Sequence, residues 1–224
     1  MEGRVRGLPR VTVHYAQSLD GRIATRTGHS RWISCDATLG FAHQLRADHE
    51  AVAVGVGTVS VDNPRLTVRL VPGRSPLRVV VDSTLRLPLD AHVLTDRTGA
   101  TLIATTDRAA PDRVDAVRRT GAEVVVVAQN ESGSVDLLDM LRLLGDRGIS
   151  SLLIEGGAAL ITSALQARIV DRLTVCIAPK VIGRGIEAVG DLGILTMDEA
   201  LRFTESRFTA HGEDVIFDGL LARD

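Results

Sequence analysis

The chain has 224 residues, of which 45% are hydrophobic and 24% charged, enough for a large domain that buries roughly 70% of its unfolded surface. A formal net charge of −2 excludes an overall basic field for nucleic acid, and 3% aromatic content excludes a stacking platform for single strands. No apolar run approaches the roughly 20 residues of a membrane helix, and the opening MEGRVRGLPR lacks a secretory stretch, so the expected setting is the cytoplasm with no membrane partner.

Strand-length apolar runs alternate with helix-period segments along the chain. Val11–Tyr15 reads as the first strand, followed by a glycine-containing loop to Trp32. Ser34 is placed to cap a helix carrying Leu39, Ala42 and Leu45 on one face and ending near His49. Ala51–Gly55 is a short buried strand, and a helical piece at Thr58–Val61 stops at Asn63-Pro64. Leu77–Val81, Thr101–Thr105 and Glu123–Val127 are further strands, the last two joined by a helix over Pro111–Arg119 with Gly121 at its C-terminal cap. A helix over Val135–Arg147 leads to the strand Ser151–Ile154, and another helix follows Gly157. Arg172–Ala178 is a strand, and Phe203–Ala210 with Asp214–Gly219 reads as an antiparallel hairpin around His211-Gly212. This order predicts a single-domain α/β fold: a mixed, mostly parallel sheet flanked by helices, closed by the hairpin. Residues 1–10 read as a tail and 11–224 as the domain.

Four segments suit ligand chemistry, each with a plainer alternative. In SLLIEGGAAL (151–160) a buried strand meets Glu155, two glycines and a helix start, where free N–H groups suit phosphate; a tight turn with a solvated Glu155 is the alternative. It is not the G-x-G-x-x-G fingerprint of an ordinary Rossmann domain. SLDGRIAT (18–25), continuing to GHSRW (28–32), is either a flap over a ligand or a solvent loop. GVGT (55–58) followed by DNPRLTVR (62–69) offers a second glycine turn, with Arg65 and Arg69 free to pair a phosphate or merely solvated. DSTLR (82–86) ends a strand with hydroxyls and Arg86, which suits a 2′-phosphate or a plain turn. The two cysteines, Cys35 and Cys176, lack a metal-ligand pattern and read as buried free thiols, with a disulfide as the alternative. The six histidines are scattered, so no metal is expected.

Read together, SLDGRIA, SRWIS, LRADHEAVAVGVGTVSVDNPRLTVR, RVVVDS, LLIEGGAAL, IVDRL and IAPKVIGRG occur in one order between about Val11 and Phe217. In that order they resemble the reductase (C-terminal) domain family of the bacterial riboflavin-biosynthesis protein RibD, which is dihydrofolate-reductase-like. The resemblance implies an NADPH-dependent reductase that converts a ribosylamino-pyrimidine 5′-phosphate to its ribitylamino counterpart, usually as a homodimer. By that resemblance Ala16, Trp32, Thr58, Asp62, Ser83 and the turn Gly157, Ala158, Ala159, Leu160, Ile161, Thr162 and Ser163 fall at NADPH-binding positions. Ser30, Arg46, Leu66, Arg69 and Glu155 fall at substrate-binding positions, with Ser30, Arg46 and Arg69 on the ribose 5′-phosphate. Glu155 and Asp62 are the candidates for relaying the proton such a reduction needs, the alternative being that either only orients hydroxyls of substrate or cofactor. Two departures stand out. The P-C-x-x-C element of the fused zinc deaminase is absent, implying a free-standing reductase. His14 stands where the bifunctional enzymes carry a lysine, so a diamino or amino-oxo pyrimidine, or a pterin, all remain open as substrate. A cofactor-binding regulator and an interaction module are the competing classes. Retained Glu155, Asp62, Arg46 and Arg69 argue against the first, and the glycine turns against the second.

Overall fold

A computed structural model of the chain describes residues 7–222. The elements run β1 (Arg10–Ser18), β2 (Arg22–Thr25), α1 (Asp36–Ala47), β3 (Ala51–Gly55), α2 (Val56–Asp62), β4 (Leu77–Val81) and α3 (His92–Thr95). They continue with β5 (Thr101–Thr105), α4 (Pro111–Arg119), β6 (Glu123–Val126), α5 (Leu137–Asp146), β7 (Ser151–Ile154) and α6 (Ala158–Gln166). The chain then closes with β8 (Arg172–Ala178), β9 (Gly185–Glu187), a 3-10 turn at Met197–Glu199, β10 (Phe203–His211) and β11 (Asp214–Leu221). Of the expected tail, residues 1–6 lie outside the described residues, and Arg10 already belongs to β1.

The main sheet has nine strands in the order β10-β11-β8-β1-β7-β3-β4-β5-β6. From β8 to β6 every neighbouring pair is parallel, and the β10–β11 hairpin adds antiparallel to β8. Side chains on a strand alternate between faces, so the apolar runs supply two cores at once. Val52, Val54, Val80, Ile103 and Leu153 face one cluster with Val56 and Val59 of α2 and Val117 of α4. Ala51, Ala53, Val79, Leu102, Leu152 and Ile154 face the other, against Leu141 and Leu144 of α5 and Ile161 and Leu165 of α6. Each buried branched side chain contributes about 1.5–3 kcal/mol by leaving water.

Local chemistry sets most boundaries. Pro111 opens α4, and Gly121, at φ +91°, follows its last turn. α5 begins at Leu137 rather than Val135 because the Asp136 carboxylate accepts hydrogen bonds from the N–H groups of Leu138 and Asp139. The start of α1 differs from the expectation of a Ser34 cap. Cys35 takes that place without a side-chain cap, and the carboxylate of Asp214, on β11, accepts from Cys35 N–H at 2.8 Å and Thr38 Oγ1 at 2.7 Å. β2 and β9, both absent from the sequence reading, form a separate antiparallel ribbon. Cys35 and Cys176 are free thiols. Among the described residues no helix is long and apolar enough to cross a membrane.

Candidate active site

In an open parallel sheet the strand C-termini point their last side chains and following turns into one crevice. Here a cleft of about 1190 Å³ lies there, lined from the ends of β1 (His14–Ala16), β7 (Glu155–Gly157), β3 (Gly55–Thr58) and β4 (Val81–Thr84), and from Arg108 beyond β5. Those strands are neighbours in that order, so the cleft spans four inter-strand steps of ~4.8 Å, about 19 Å in all. Its volume exceeds the ~300–1,000 Å³ of an ordinary single-ligand site.

At the β1 end, Glu155 and Arg46 form a forked pair. Arg46 Nε donates to Oε1 at 2.7 Å and to Oε2 at 3.0 Å, and Nη2 donates to Oε2 at 2.6 Å. The Arg46 and Glu155 side chains are 15% and 9% exposed, so the pair is held in a low-dielectric setting. Burial works against the arginine charge, but the facing carboxylate outweighs it and the Arg46 pKa is raised. His14 sits beside them. Its Nδ1–H donates to the Thr174 carbonyl at 3.1 Å, so its other ring nitrogen, Nε2, is the acceptor. Burial lowers the His14 pKa, against the pull of Glu155, and keeps the imidazole neutral at physiological pH. Phe41 packs edge-on at 5.9 Å between ring centres. On the rim, Ser30 Oγ donates to Asp62 Oδ1 at 3.0 Å.

The middle of the cleft is glycine. Gly156 and Gly157 take φ +92° and +84°, and a Cβ on Gly157 would stand 3.1 Å from Thr58 Oγ1. α6 starts there with no side-chain cap and no acidic residue in its first turn, so its leading N–H groups remain for an anion. At the β4 end, Ser83 and Thr84 share the cleft with Arg86, Arg108, Asn130 and Ser134. Ser83 Oγ accepts from Val135 N–H at 3.1 Å, which leaves its own proton for a ligand oxygen. Positive charge at one end, free amides with no Cβ in the middle, and a carboxylate with a neutral imidazole at the other fit an extended dinucleotide diphosphate with a polar substrate beside it.

Of the sequence-derived positions, the cleft brings together Ala16, Ser30, Trp32, Thr58, Asp62, Ser83, Glu155, Gly157, Ala158, Ala159, Leu160 and Ser163. Ile161 and Thr162 do not border it: Ile161 is fully buried, and Thr162 Oγ1 donates to the Ala158 carbonyl at 2.7 Å and accepts from Gly190 N–H at 2.8 Å. Ile161 faces the core and Thr162, half-buried, turns to the loop at Gly190, because a helix shows a surface only one face. Leu66, at φ +55°, is 2% exposed in the core and does not border the cleft either. Arg69 lies outside it with Nη1 on Thr67 Oγ1 at 2.6 Å, and Arg46 lies behind Glu155. Arg46 and Arg69 stand side by side, their Nη1 groups donating to the Thr67 carbonyl at 3.3 and 3.4 Å, while Ser30 lies on the cleft rim. Sequence reading missed Arg108, Asn130 and Ser134. Arg108 follows the buried end of a parallel strand, the position where such sheets bind ligands, and that was the available signal.

Comparison with known proteins places these features. The family model described as the RibD C-terminal domain matches residues 9–217. The riboflavin biosynthesis protein RibD of Aquifex aeolicus is 36% identical over 209 residues, covering 93% of this chain and 56% of that protein. The 2,5-diamino-6-ribosylamino-4(3H)-pyrimidinone 5′-phosphate reductase of Methanothermobacter thermautotrophicus is 42% identical over 214 residues, covering 93% and 96%. The chain thus spans about half of RibD and nearly all of the second relative. Acinetobacter baumannii RibD superposes with a TM-score of 0.81 at 26% identity, covering 97% of this chain and 59% of that one. Dihydrofolate reductase of Enterococcus faecalis, 13% identical with a TM-score of 0.53, shares the fold across 98% of both chains. Over nearly its whole described length, the chain belongs to the RibD C-terminal domain family.

Proposed function

We propose that this protein is an NADPH-dependent reductase that converts a ribosylamino-pyrimidine 5′-phosphate to the ribitylamino compound, a riboflavin-type reaction. The observation that carries the reading is the cleft, with Arg86 and Arg108 at one end, uncapped helix amides over Gly156-Gly157 in the middle, and Glu155 beside His14 at the other. The relative that this chain matches end to end is named for such a reduction, which favours the diamino pyrimidine. A cytoplasmic homodimer is the proposed form.

In this reading Ser83, Thr84, Arg86 and Arg108 hold the 2′-phosphate end of NADPH, and the α6 amides with Thr58 hold its diphosphate. The bound cofactor supplies a hydride. Everything else falls to the protein. The sugar must open so that C1′ carries a C=N bond, and the acceptor carbon must lie in line with the hydride. Glu155 is the proposed proton relay, because Arg46 fixes both its oxygens while the carboxylate still borders the cleft. Asp62 is exposed on the rim and bonded to Ser30, a position better suited to orienting hydroxyls. The neutral Nε2 of His14 can accept from a ring N–H, which both pyrimidines carry, or from an exocyclic amine at C2, which only the diamino compound carries. Leu66 is proposed to act only through the backbone that seats it, Ile161 and Thr162 through the packing of α6, and Arg69, beside Arg46 on the Thr67 carbonyl, through its charge on the 5′-phosphate.

The test is cofactor oxidation with the diamino pyrimidine, the amino-oxo pyrimidine and dihydrofolate offered separately. Oxidation with a ribosylamino-pyrimidine supports the reading. Oxidation with dihydrofolate alone removes it.

A further inference from the structure

The stretch IAPKVIGRG takes no part in the chemistry above, and none of residues 179–185 borders the cleft. It nevertheless holds one wall of the cleft in place. Lys180, the chain's single lysine, lies two residues beyond β8 and donates from Nζ to the carbonyls of Trp32 at 2.6 Å and Ile33 at 2.9 Å. Ser30, Arg31, Trp32, Ile33 and Ser34 line the cleft without a break.

The wall is also held at its two ends, by Ser30 Oγ on Asp62 at 3.0 Å and by Cys35 N–H on Asp214 at 2.8 Å, which leaves Trp32 and Ile33 between them to Lys180. Trp32 stands at φ +66°, a conformation that a bulky residue keeps only where its surroundings impose it. Its ring cannot be the anchor, since the residue is 72% exposed. An ammonium group, with three donors and no acceptor, suits two successive carbonyls that have no strand partner. The other end of the same segment is tied to the same connector. The N–H groups of Ile182 and Gly183 donate to Asp20, at 3.1 Å to Oδ1 and 2.6 Å to Oδ2, and Arg22 Nε donates to the Gly183 carbonyl at 2.9 Å. The connector therefore grips the segment from Asp20 to Ile33 at both ends, and Lys180 supplies its side-chain grip on the cleft-lining part.

We propose that Lys180 is a positioning residue, fixing the wall from Ser30 to Ser34 so that the cleft is formed before its ligands arrive. The proposal rests on the reading of the cleft as the cofactor and substrate site.

Trp32 is also the chain's single tryptophan, so its emission reports this wall directly. The experiment compares the parent protein with Lys180→Met, which keeps the stem and loses the donors, and Lys180→Arg, which keeps charge and donors. In ligand-free protein, Lys180→Met lowers the Trp32 fluorescence anisotropy while the thermal midpoint holds, since Lys180 is exposed. In steady state it raises KM for NADPH about tenfold or more, the scale of one lost charge-assisted hydrogen bond, with kcat little changed. Lys180→Arg recovers most of both signals. Unchanged anisotropy in Lys180→Met overturns the proposal whether or not the protein oxidises NADPH. So does lowered anisotropy with an unchanged KM, or a parallel fall of kcat and thermal midpoint at constant KM. Absence of turnover in the parent would instead count against the functional reading, and the anisotropy comparison would still decide the role of Lys180.

Discussion

Arg46 and Glu155, 109 positions apart in the chain, meet as a forked ion pair at the end of β7. Removing one partner of such a pair strands the other charge in a poorly solvated place. Arg46→Ala should therefore destabilise the protein by about 3 kcal/mol, near the lower end for buried pairs, as read from the urea midpoint. A cost under ~1 kcal/mol would mean that the pair is solvated in solution.

Glu155→Gln keeps the shape and one acceptor oxygen. It should lower turnover by about 10²-fold or more while leaving NADPH affinity nearly unchanged. Unchanged turnover would remove Glu155 from the proton path.

Gly157→Ala meets two obstacles. The backbone at φ +84° disfavours a side chain, and the new Cβ falls 3.1 Å from Thr58 Oγ1. Relief of that strain, about 1–3 kcal/mol, must shift the turn that presents the α6 amides. NADPH affinity should drop by about tenfold or more in a fluorescence titration, with substrate KM less affected.

Arg86→Gln should separate the two nicotinamide cofactors. A charge-assisted hydrogen bond to a 2′-phosphate is worth about 1.5–3 kcal/mol, so the NADPH preference should fall by about 10–100-fold while NADH kinetics stay constant. An equal loss with both cofactors would place Arg86 elsewhere.

Acid should weaken the fold before the carboxylates titrate. Burial, then the neighbouring Arg46 and Arg69 charges, push the pKa of His43 from 6.5 down to about 4, and burial lowers that of His14 as well. Between those values the unfolded chain binds protons that the folded chain refuses. The stability His43 contributes is full above pH 6.5 and is lost as pH falls toward about 4, and His14 adds to the loss in the same direction. Urea midpoints should decline through that window, and His43→Gln should flatten the decline. A flat profile in the parent would contradict the neutral, buried imidazoles.

Much of this architecture was legible because its signals are local. Thr101–Thr105, Ser151–Ile154 and Arg172–Ala178 begin and end where the apolar runs do, since polar turn residues flank each one. Pro111 and Gly121 marked α4 by their own backbone restrictions. The features that were missed depend on residues distant in sequence. The cap of α1 comes from Asp214, 179 positions from Cys35. β2 and β9 are too short and polar to show a period and exist only by pairing with each other. The motif resemblance gathered most of the cleft wall by position. It could not show that Arg46 turns its fork onto Glu155, or that Leu66 points into the core.

In the proposed reaction the cleft delivers hydride to C1′ of a ribosylamino-pyrimidine phosphate. The most direct measurement is a single turnover with NADPH deuterated at the transferring carbon, followed by mass spectrometry and NMR of the product. This account predicts one deuterium at C1′ of a ribitylamino product, with one NADPH consumed for each product formed. Tight NADPH binding with no label transfer to either the diamino or the amino-oxo pyrimidine would contradict it.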